Sequence, residues 1–257
     1  MPRRQRHQIT NMKVKIAIVD SRITPDAERR LMSEGYRVVT LPPFSRLSEA
    51  VASHPDMLIA RLGNEYISYA DYSEEASYVF SDLSLLLRGT GARFTLTSDE
   101  VFPSYPRDVG LNALLMGKKL FCRRASASEA LVLRAQALGI EVVDTKQGYP
   151  ACTVLKLSDT AAITADRGMA RVLGENGIRV TLIGEGNISL PPYEYGFIGG
   201  AGEAHEGKLY LFGDPATHPD GEIIVSMAES EGLRVVPLSS GVLTDLGGII
   251  FAEGNVD

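Results

Sequence analysis

The first residue of this chain that could do covalent chemistry is Cys152. It follows the turn signal Gly148-Tyr149-Pro150 and stands at the start of a predicted strand. A thiolate there can attack an electron-poor carbon, provided that a neighbouring base or cation lowers the pKa of the thiol. A lone cysteine is also commonly a small buried apolar side chain, and no histidine lies near Cys152 in the sequence.

The sequence His-Pro-Asp occurs twice, as His54-Pro55-Asp56 and His218-Pro219-Asp220. Together the two motifs offer four ligands for a hard or borderline metal ion. A proline after histidine also begins a turn or a helix whose first turn carries an aspartate. Because the two motifs occupy different places relative to the predicted strands, we interpret both as structural and predict no metal site.

Asp108 and Asn112 lie where a central strand is expected to begin. Asp108, after Tyr105-Pro106-Arg107, is either a ligand-binding carboxylate or a turn residue. A glycine-rich stretch at residues 183–187 resembles the opening of a dinucleotide loop, but Pro191-Pro192 forbids the helix that such a loop needs. We therefore predict no cofactor.

The elements that must position these residues recur five times. Each recurrence ends in a glycine, a variable residue, a charged residue and Val or Phe, on average about 49 residues apart. The five glycines are Gly35, Gly91, Gly139, Gly177 and Gly232. Each follows a predicted helix and opens a strand, as expected of a residue that can adopt a positive φ.

Helix starts are predicted at Thr24-Pro25 and at a capping box over residues 126–129. Pairs of extended segments, such as 154–157 and 161–164, precede the helices. Each unit therefore has the order ββαβ, and five such units around an axis form a five-bladed α/β propeller. Val242 to Phe251 is predicted as the late strand that completes the first unit.

Composition limits the classes of function. The chain has 257 residues, 44% of them hydrophobic, and 26 Lys+Arg against 32 Asp+Glu give a net charge of −6. We expect one globular domain over residues 12–257 after a flexible tail over residues 1–11, with Met12 as a possible natural start. The negative charge disfavours nucleic acid as a partner, and no apolar run is long enough to span a membrane. Two cysteines and the lack of a signal-peptide core predict a cytoplasmic location; the oligomeric state stays open.

A five-fold ββαβ propeller resembles the pentein fold of the guanidine-modifying enzymes, a superfamily of deiminases, dimethylaminohydrolases and amidinotransferases. A non-enzymatic ribosomal anti-association factor shares this fold. The chain is most similar to an uncharacterised bacterial family of the fold. The similarity rests on five segments: Tyr105–Val109, Gln147–Tyr149, Thr164–Gly168, Gly196–Gly200 and Leu243–Gly248.

In the enzymes that this sequence resembles, carboxylates hold a guanidinium group, a cysteine attacks its carbon and a histidine protonates the leaving amine. The resemblance implies that Asp108 is a retained guanidinium-binding carboxylate. It also implies that Phe197 and Gly199 stand where the enzymes have His and Asp, and that Val242 to Asp245 stands where they have the nucleophile.

We therefore expect a cytosolic pentein-fold protein without the standard Cys/His site. It would be a small-molecule binding or interaction module whose axial pocket takes a small cationic ligand near Asp108, Asn112 and Asp245. The alternative is a hydrolase or transferase acting on a cationic amide or guanidine. Cys152 is then a relocated nucleophile served by His54 or His218, and Asp108 or Asp245 holds the substrate. A ribosome-binding scaffold is a third reading, disfavoured by the acidic charge.

Overall fold

The computed structural model describes residues 12–256, and the predicted flexible tail lies outside the described residues. The fold is mixed α/β and contains five three-stranded sheets among these residues. In every sheet a central strand pairs antiparallel with one neighbour and parallel with the strand that follows its helix. The predicted fold class, with its strand, strand, helix, strand order, is confirmed.

The elements are as follows, unit by unit. The first unit contains β1 (Met12–Asp20), α1 (Pro25–Ser33) and β2 (Tyr36–Leu41). The second contains α2 (Pro55–Leu58), β3 (Ile59–Leu62), β4 (Glu65–Tyr69), α3 (Ala70–Glu75), α4 (Ser77–Leu86) and β5 (Arg93–Thr97). The third contains β6 (Leu114–Met116), β7 (Lys119–Cys122), α5 (Glu129–Ala137) and β8 (Glu141–Asp144). The fourth contains α6 (Pro150–Thr153), β9 (Val154–Lys156), β10 (Ala161–Thr164), α7 (Arg167–Glu175) and β11 (Arg179–Leu182). The fifth contains β12 (Gly202–His205), β13 (Lys208–Leu211), α8 (Gly221–Ser230) and β14 (Arg234–Pro237), and β15 (Ile250–Val256) returns to the first sheet.

The five glycines of the sequence pattern all adopt a positive φ, between 69° and 94°. At four of them a Cβ atom would meet nothing within 4 Å, so space does not require glycine there. What requires it is the left-handed backbone that turns the chain out of a helix and into the third strand of each unit. This local requirement explains why the pattern was visible in the sequence.

Helix starts follow capping chemistry. The Thr24 side chain accepts a hydrogen bond from the Ala27 N–H at the start of α1, as predicted. The predicted capping box is displaced, because α5 begins at Glu129 with Ser128 as its cap. The Ser126 N–H donates to the carbonyl of Arg123 in a turn before the helix, so Ser126 does not cap α5.

The strand predicted over 242–251 lies further along the chain. Gly247 and Gly248 both have a φ near +70°, which breaks any strand at that point. β15 therefore begins at Ile250 and pairs antiparallel with β1, from Met12 opposite Val256 to Ile18 opposite Ile250. The residues before it form a loop that contacts the segments preceding β3 and β12, where the Asp56 N–H donates to the Gly247 carbonyl and the Leu246 N–H to the Gly200 carbonyl.

The strands leave one space that all five units share. A cavity of about 360 Å³ is lined by β3, β6, β9, β12 and β15 or by the residues that lead into them. We call it the axial cavity. The helices pack outside the sheets, and α1, α7 and α8 each bury two or more side chains against them. Among the described residues, no helix combines the length and the apolar character needed to cross a membrane.

Candidate active site

Five polar side chains meet where the chain enters the first strands of four different units. They are His54, Asp56, Asn112, Cys152 and Asp245, and we call them the axial cluster. His54 and Asp56 flank the start of α2, Asn112 precedes β6, Cys152 lies in α6 and Asp245 lies in the loop before β15. Three residues predicted as site residues, Asn112, Cys152 and Asp245, are therefore brought together.

The Cys152 thiol is held by two polar neighbours. Its Sγ atom donates to Asp56 Oδ2 at 2.8 Å, and Asn112 Nδ2 donates to Sγ at 3.0 Å. The Oδ1 atom of Asn112 accepts the Ala151 N–H at 2.9 Å, which fixes the start of α6 beside the sulfur. Burial, followed by the negative charges of Asp56 and Asp245, raises the pKa of Cys152 well above its ordinary value. The thiol is protonated in the absence of a ligand.

Both carboxyl groups of the axial cluster have raised pKa values. Burial raises the pKa of Asp56 to about 6 and that of Asp245 to about 7, and for Asp245 the charge of Asp56 is the next cause. Asp245 accepts the N–H groups of Phe197 and Gly247 at 2.9 and 3.1 Å. Asp56 Oδ1 is buried and has no hydrogen-bond partner within the described part of the chain. A cation placed beside the pair would favour the ionised form of both carboxyl groups.

His54 is completely buried and faces carboxylates on both sides. Its Nδ1 atom lies 3.9 Å from Asp56 Oδ1 and 3.8 Å from Asp245 Oδ1, and its Nε2 atom lies 3.8 Å from Asp20 Oδ2. Neither ring nitrogen makes a hydrogen bond with any residue from 12 to 256. Burial, assisted by the charge of Arg22, lowers the pKa of His54 to about 3, so the ring is neutral at pH 7.

The first His-Pro-Asp motif therefore does more than start a helix. Pro55 does begin α2, as interpreted from the sequence, but His54, Asp56 and Cys152 offer ligand atoms that all lie within 4.8 Å of one another. Nitrogen, oxygen and sulfur are the donors that zinc accepts, so this group could hold a metal ion. The prediction that the chain uses no metal stays a prediction, and the predicted lack of a Cys/His site is not confirmed.

The second motif lies at the start of a helix. The Nδ1 atom of His218 accepts the Asp220 N–H at 3.0 Å, and α8 begins directly afterwards. In the described part of the chain, no hydrogen bond or ion pair joins His218 to Cys152 or Asp108. Of the two histidines considered as partners for Cys152, the structure places His54 beside it.

Asp108 occupies a separate position next to the axial cluster. Its Oδ2 atom accepts the Tyr149 hydroxyl at 2.6 Å, while Oδ1 is buried without a partner among the described residues. Burial raises the pKa of Asp108. The Tyr149 ring packs between Tyr105 and Phe197, at centroid distances of 5.6 and 6.3 Å. These rings form an aromatic wall beside the cluster.

Asp20 and Arg22 were not singled out from the sequence. Asp20 ends β1, whose last five residues are buried, and its side chain is fully buried. The guanidinium of Arg22 contacts both carboxylate oxygens, with Nη2 2.6 Å from Oδ2 and Nε 3.0 Å from Oδ1. An aspartate directly after the apolar run Ile16–Val19 was the sequence signal that could have found this pair.

Glycines allow the backbone to close around the cluster. A Cβ atom on Gly199 would lie 2.3 Å from the Ala151 carbonyl oxygen and 2.5 Å from that of Cys152. One on Gly200 would lie 1.8 Å from Asp245 Oδ1. The interpretation that this glycine-rich segment permits close backbone approach near the axis agrees with these distances.

A family model described as "Family of unknown function (DUF6873)" matches residues 18–250. No protein of curated function matches the sequence. Among solved structures, the chain is similar to DDAH from Pseudomonas aeruginosa complexed with citrulline, with a TM-score of 0.57 and 9% identity over 94% of this chain and 98% of that one.

Two other solved structures have similar scores. The inosamine-phosphate amidinotransferase of Streptomyces griseus has a TM-score of 0.53 and 13% identity over 88% of this chain and 78% of that one. The product-bound N-terminal domain of ArgZ, an arginine dihydrolase from cyanobacteria, has a TM-score of 0.53 and 14% identity over 93% and 97%. These proteins belong to the pentein superfamily, and the resemblance to that fold is confirmed.

Proposed function

The chain belongs to the DUF6873 family, and we propose that it binds a small planar cation at the axial cluster and breaks a C–N bond of that cation with Cys152 as nucleophile. The substrate class is a guanidine or amidine. One observation carries the proposal: the 2.8 Å hydrogen bond from the Cys152 thiol to Asp56, next to a second buried carboxyl group. The nearby guanidinium of Arg22 is already engaged by Asp20.

A cationic substrate would change which ionisation states of Asp56, Asp245 and Cys152 are favoured. Burial raises the pKa values of Asp56 and Asp245, and the charge of Asp56 adds to the rise for Asp245. A guanidinium group placed between them would favour their ionised forms and would also offset their effect on the thiol. Neutral His54 adds no competing positive charge. Binding and activation of the nucleophile would then be one event.

The chemistry balances with the groups present. Asp56 accepts the thiol proton, and the Cys152 thiolate forms a C–S bond to the central carbon of the substrate. The C–N bond then breaks, and the amine leaves with the proton from Asp56. Ionised Asp56 takes a proton from a water molecule whose oxygen bonds to the carbon of the thiouronium adduct, or of the thioimidate adduct for an amidine. The C–S bond then breaks, the sulfur takes the proton back from Asp56, and a urea or an amide is released. The pentein relatives support this substrate class, because they include an amidinotransferase and an arginine dihydrolase.

The test is turnover with a panel of guanidines: arginine, agmatine and dimethylarginine. We expect release of ammonia or amine by the wild type and a loss of at least about 10³-fold in Cys152→Ala. Cys122→Ala is the matched control, since Cys122 is equally buried but lies in β7. Equal turnover in Cys152→Ala, or no turnover by the wild type with any of the three, would overturn the proposal.

A second candidate is binding without turnover, as a module for a small cation. The observation that favours it is the protonated thiol beside a neutral histidine that makes no hydrogen bond to the sulfur. This candidate predicts that agmatine raises the melting temperature saturably while no product forms. Asp56→Asn would remove that stabilisation under either candidate, whereas Cys152→Ala would remove only turnover.

A further inference from the structure

The axial cavity carries charges that the proposed chemistry does not use. Its volume of about 360 Å³ lies within the range of about 300–1,000 Å³ typical of small-molecule sites. Asp56 lines its inner end, and the strands that form its wall run away from the axial cluster toward the hairpin turns. Arg61, Lys156 and His205 line it near those turns.

Glu203 is the unusual residue of this cavity. It lies in β12, opposite Tyr210 in the ladder, and its side chain faces the cavity. Its carboxylate makes no hydrogen bond, and no ion pair within 4.0 Å, with any of residues 12–256. Burial raises the pKa of Glu203 to about 7, against the opposing charges of Lys156 and Arg61. Glu203 is half-buried at the wall of the cavity, and neither nearby cation pairs with it.

The cations of the same cavity are fixed by other groups. Arg61 donates from Nε to the Gly63 carbonyl at 2.8 Å and from Nη1 to the carbonyl of Phe251. Lys156 donates to the Leu115 carbonyl at 3.0 Å and lies 2.8 Å from Asp159. Carbonyl groups orient the Arg61 guanidinium without neutralising it. The cavity thus presents a fixed cation and a free carboxylate that are not paired with each other.

We propose that the axial cavity is a second binding site, for a free α-amino acid with an apolar side chain. The ammonium group would pair with Glu203 and the carboxylate with Arg61. Neither side chain forms an ion pair with another of residues 12–256. Ile59, Leu111, Leu114 and Ile249 supply apolar surface for the side chain. The proposal does not rest on the proposed function, since none of its charged contacts belongs to the axial cluster.

The experiment measures binding calorimetrically at pH 8, where Glu203 is ionised. The probes are L-leucine, isoamylamine, which is leucine without the carboxylate, and 4-methylpentanoate, which is leucine without the amine. We expect L-leucine to bind, and each analogue to bind at least about tenfold more weakly, as the loss of a charge-assisted hydrogen bond predicts. A cavity that holds only water gives no signal with L-leucine, and that result would overturn the proposal.

Single substitutions test the contributions of Glu203 and Arg61 to binding one at a time. Glu203→Gln should weaken L-leucine binding at least about tenfold. Glu206→Gln is the control, because Glu206 lies outside the cavity and pairs with Lys15. Arg61→Met should remove the preference for L-leucine over isoamylamine. Unchanged leucine binding in Glu203→Gln contradicts the site, whereas Cys152→Ala should retain leucine binding even if it loses all turnover of guanidines.

Discussion

Replacing Asp56 by Asn should make the protein more stable at neutral pH and unable to bind a cation at the axial cluster. The change keeps the shape of the side chain. The Asn carbonyl oxygen can still accept the Cys152 thiol, as Asp56 Oδ2 does at 2.8 Å. The amide nitrogen then stands where the unpartnered Oδ1 atom lies, 3.9 Å from His54 Nδ1. Asp56→Asn therefore removes the charge with little change in packing.

The magnitude follows from the pKa of Asp56. It is about 6 in the folded protein against an ordinary value of 3.8, which describes the unfolded chain. A carboxyl group with a raised pKa favours folding as the protonated acid, and this contribution is lost as pH rises through the folded pKa. At about 1.4 kcal/mol for each pKa unit, ionised Asp56 lowers the free energy of unfolding by about 3 kcal/mol above pH 7.

Urea denaturation of both proteins from pH 4 to pH 8 measures this difference. We expect Asp56→Asn to be about 2–3 kcal/mol more stable than the wild type at pH 8 and about equally stable at pH 4. Asp159→Asn is the control of opposite sign, because its hydrogen bond to Lys156 lowers the pKa of Asp159. That variant should gain nothing at pH 8. A stability difference for Asp56→Asn that is absent, negative or independent of pH would refute the reasoning.

Two further predictions concern packing and charge around the site. Gly199→Ala should destabilise the protein by about 3 kcal/mol, because the new methyl group meets backbone oxygens of α6. Gly174→Ala, in open space on α7, should instead raise stability by about 0.5–1 kcal/mol, and denaturant midpoints that rank the two variants otherwise would contradict the packing argument. Arg22→Met should cost about 3–5 kcal/mol at pH 7 because buried Asp20 loses its charge partner. A thermal melt unchanged from the wild type would show that the ion pair is not needed.

The fold was accessible from the sequence because its units are governed by local rules. A glycine with positive φ after each helix, hairpins with short turns and a capped α1 all depend on residues near each other in the chain. Two predicted element boundaries were wrong, and in both cases a turn in the backbone delays the start of the element. Gly247 and Gly248 moved the start of β15, and the turn at Arg123 moved the start of α5.

The site was only partly accessible, because it depends on which segments meet at the axis. Asn112, Cys152 and Asp245 were expected near a pocket, but their partner Asp56 was interpreted as a helix-start residue. Both roles are compatible with His-Pro-Asp, and only the fold distinguishes the motif at His54 from the one at His218. The predictions about compartment, nucleic acid and the single domain stay predictions.

The pairing of β15 with β1 determines the order in which the molecule can be assembled. During synthesis β1 is complete more than two hundred residues before Ile250–Val256 leaves the ribosome, and one of its edges is unpaired in the meantime. Asp245 lies in the loop directly before β15. It therefore joins the axial cluster only when β15 pairs with β1 and closes the ring of five sheets. Met12 and Val256 are neighbours across this seam. A circularly permuted gene that joins them and opens the chain at the Gly117-Lys118 turn would encode the same ring, with the seam placed in the third unit.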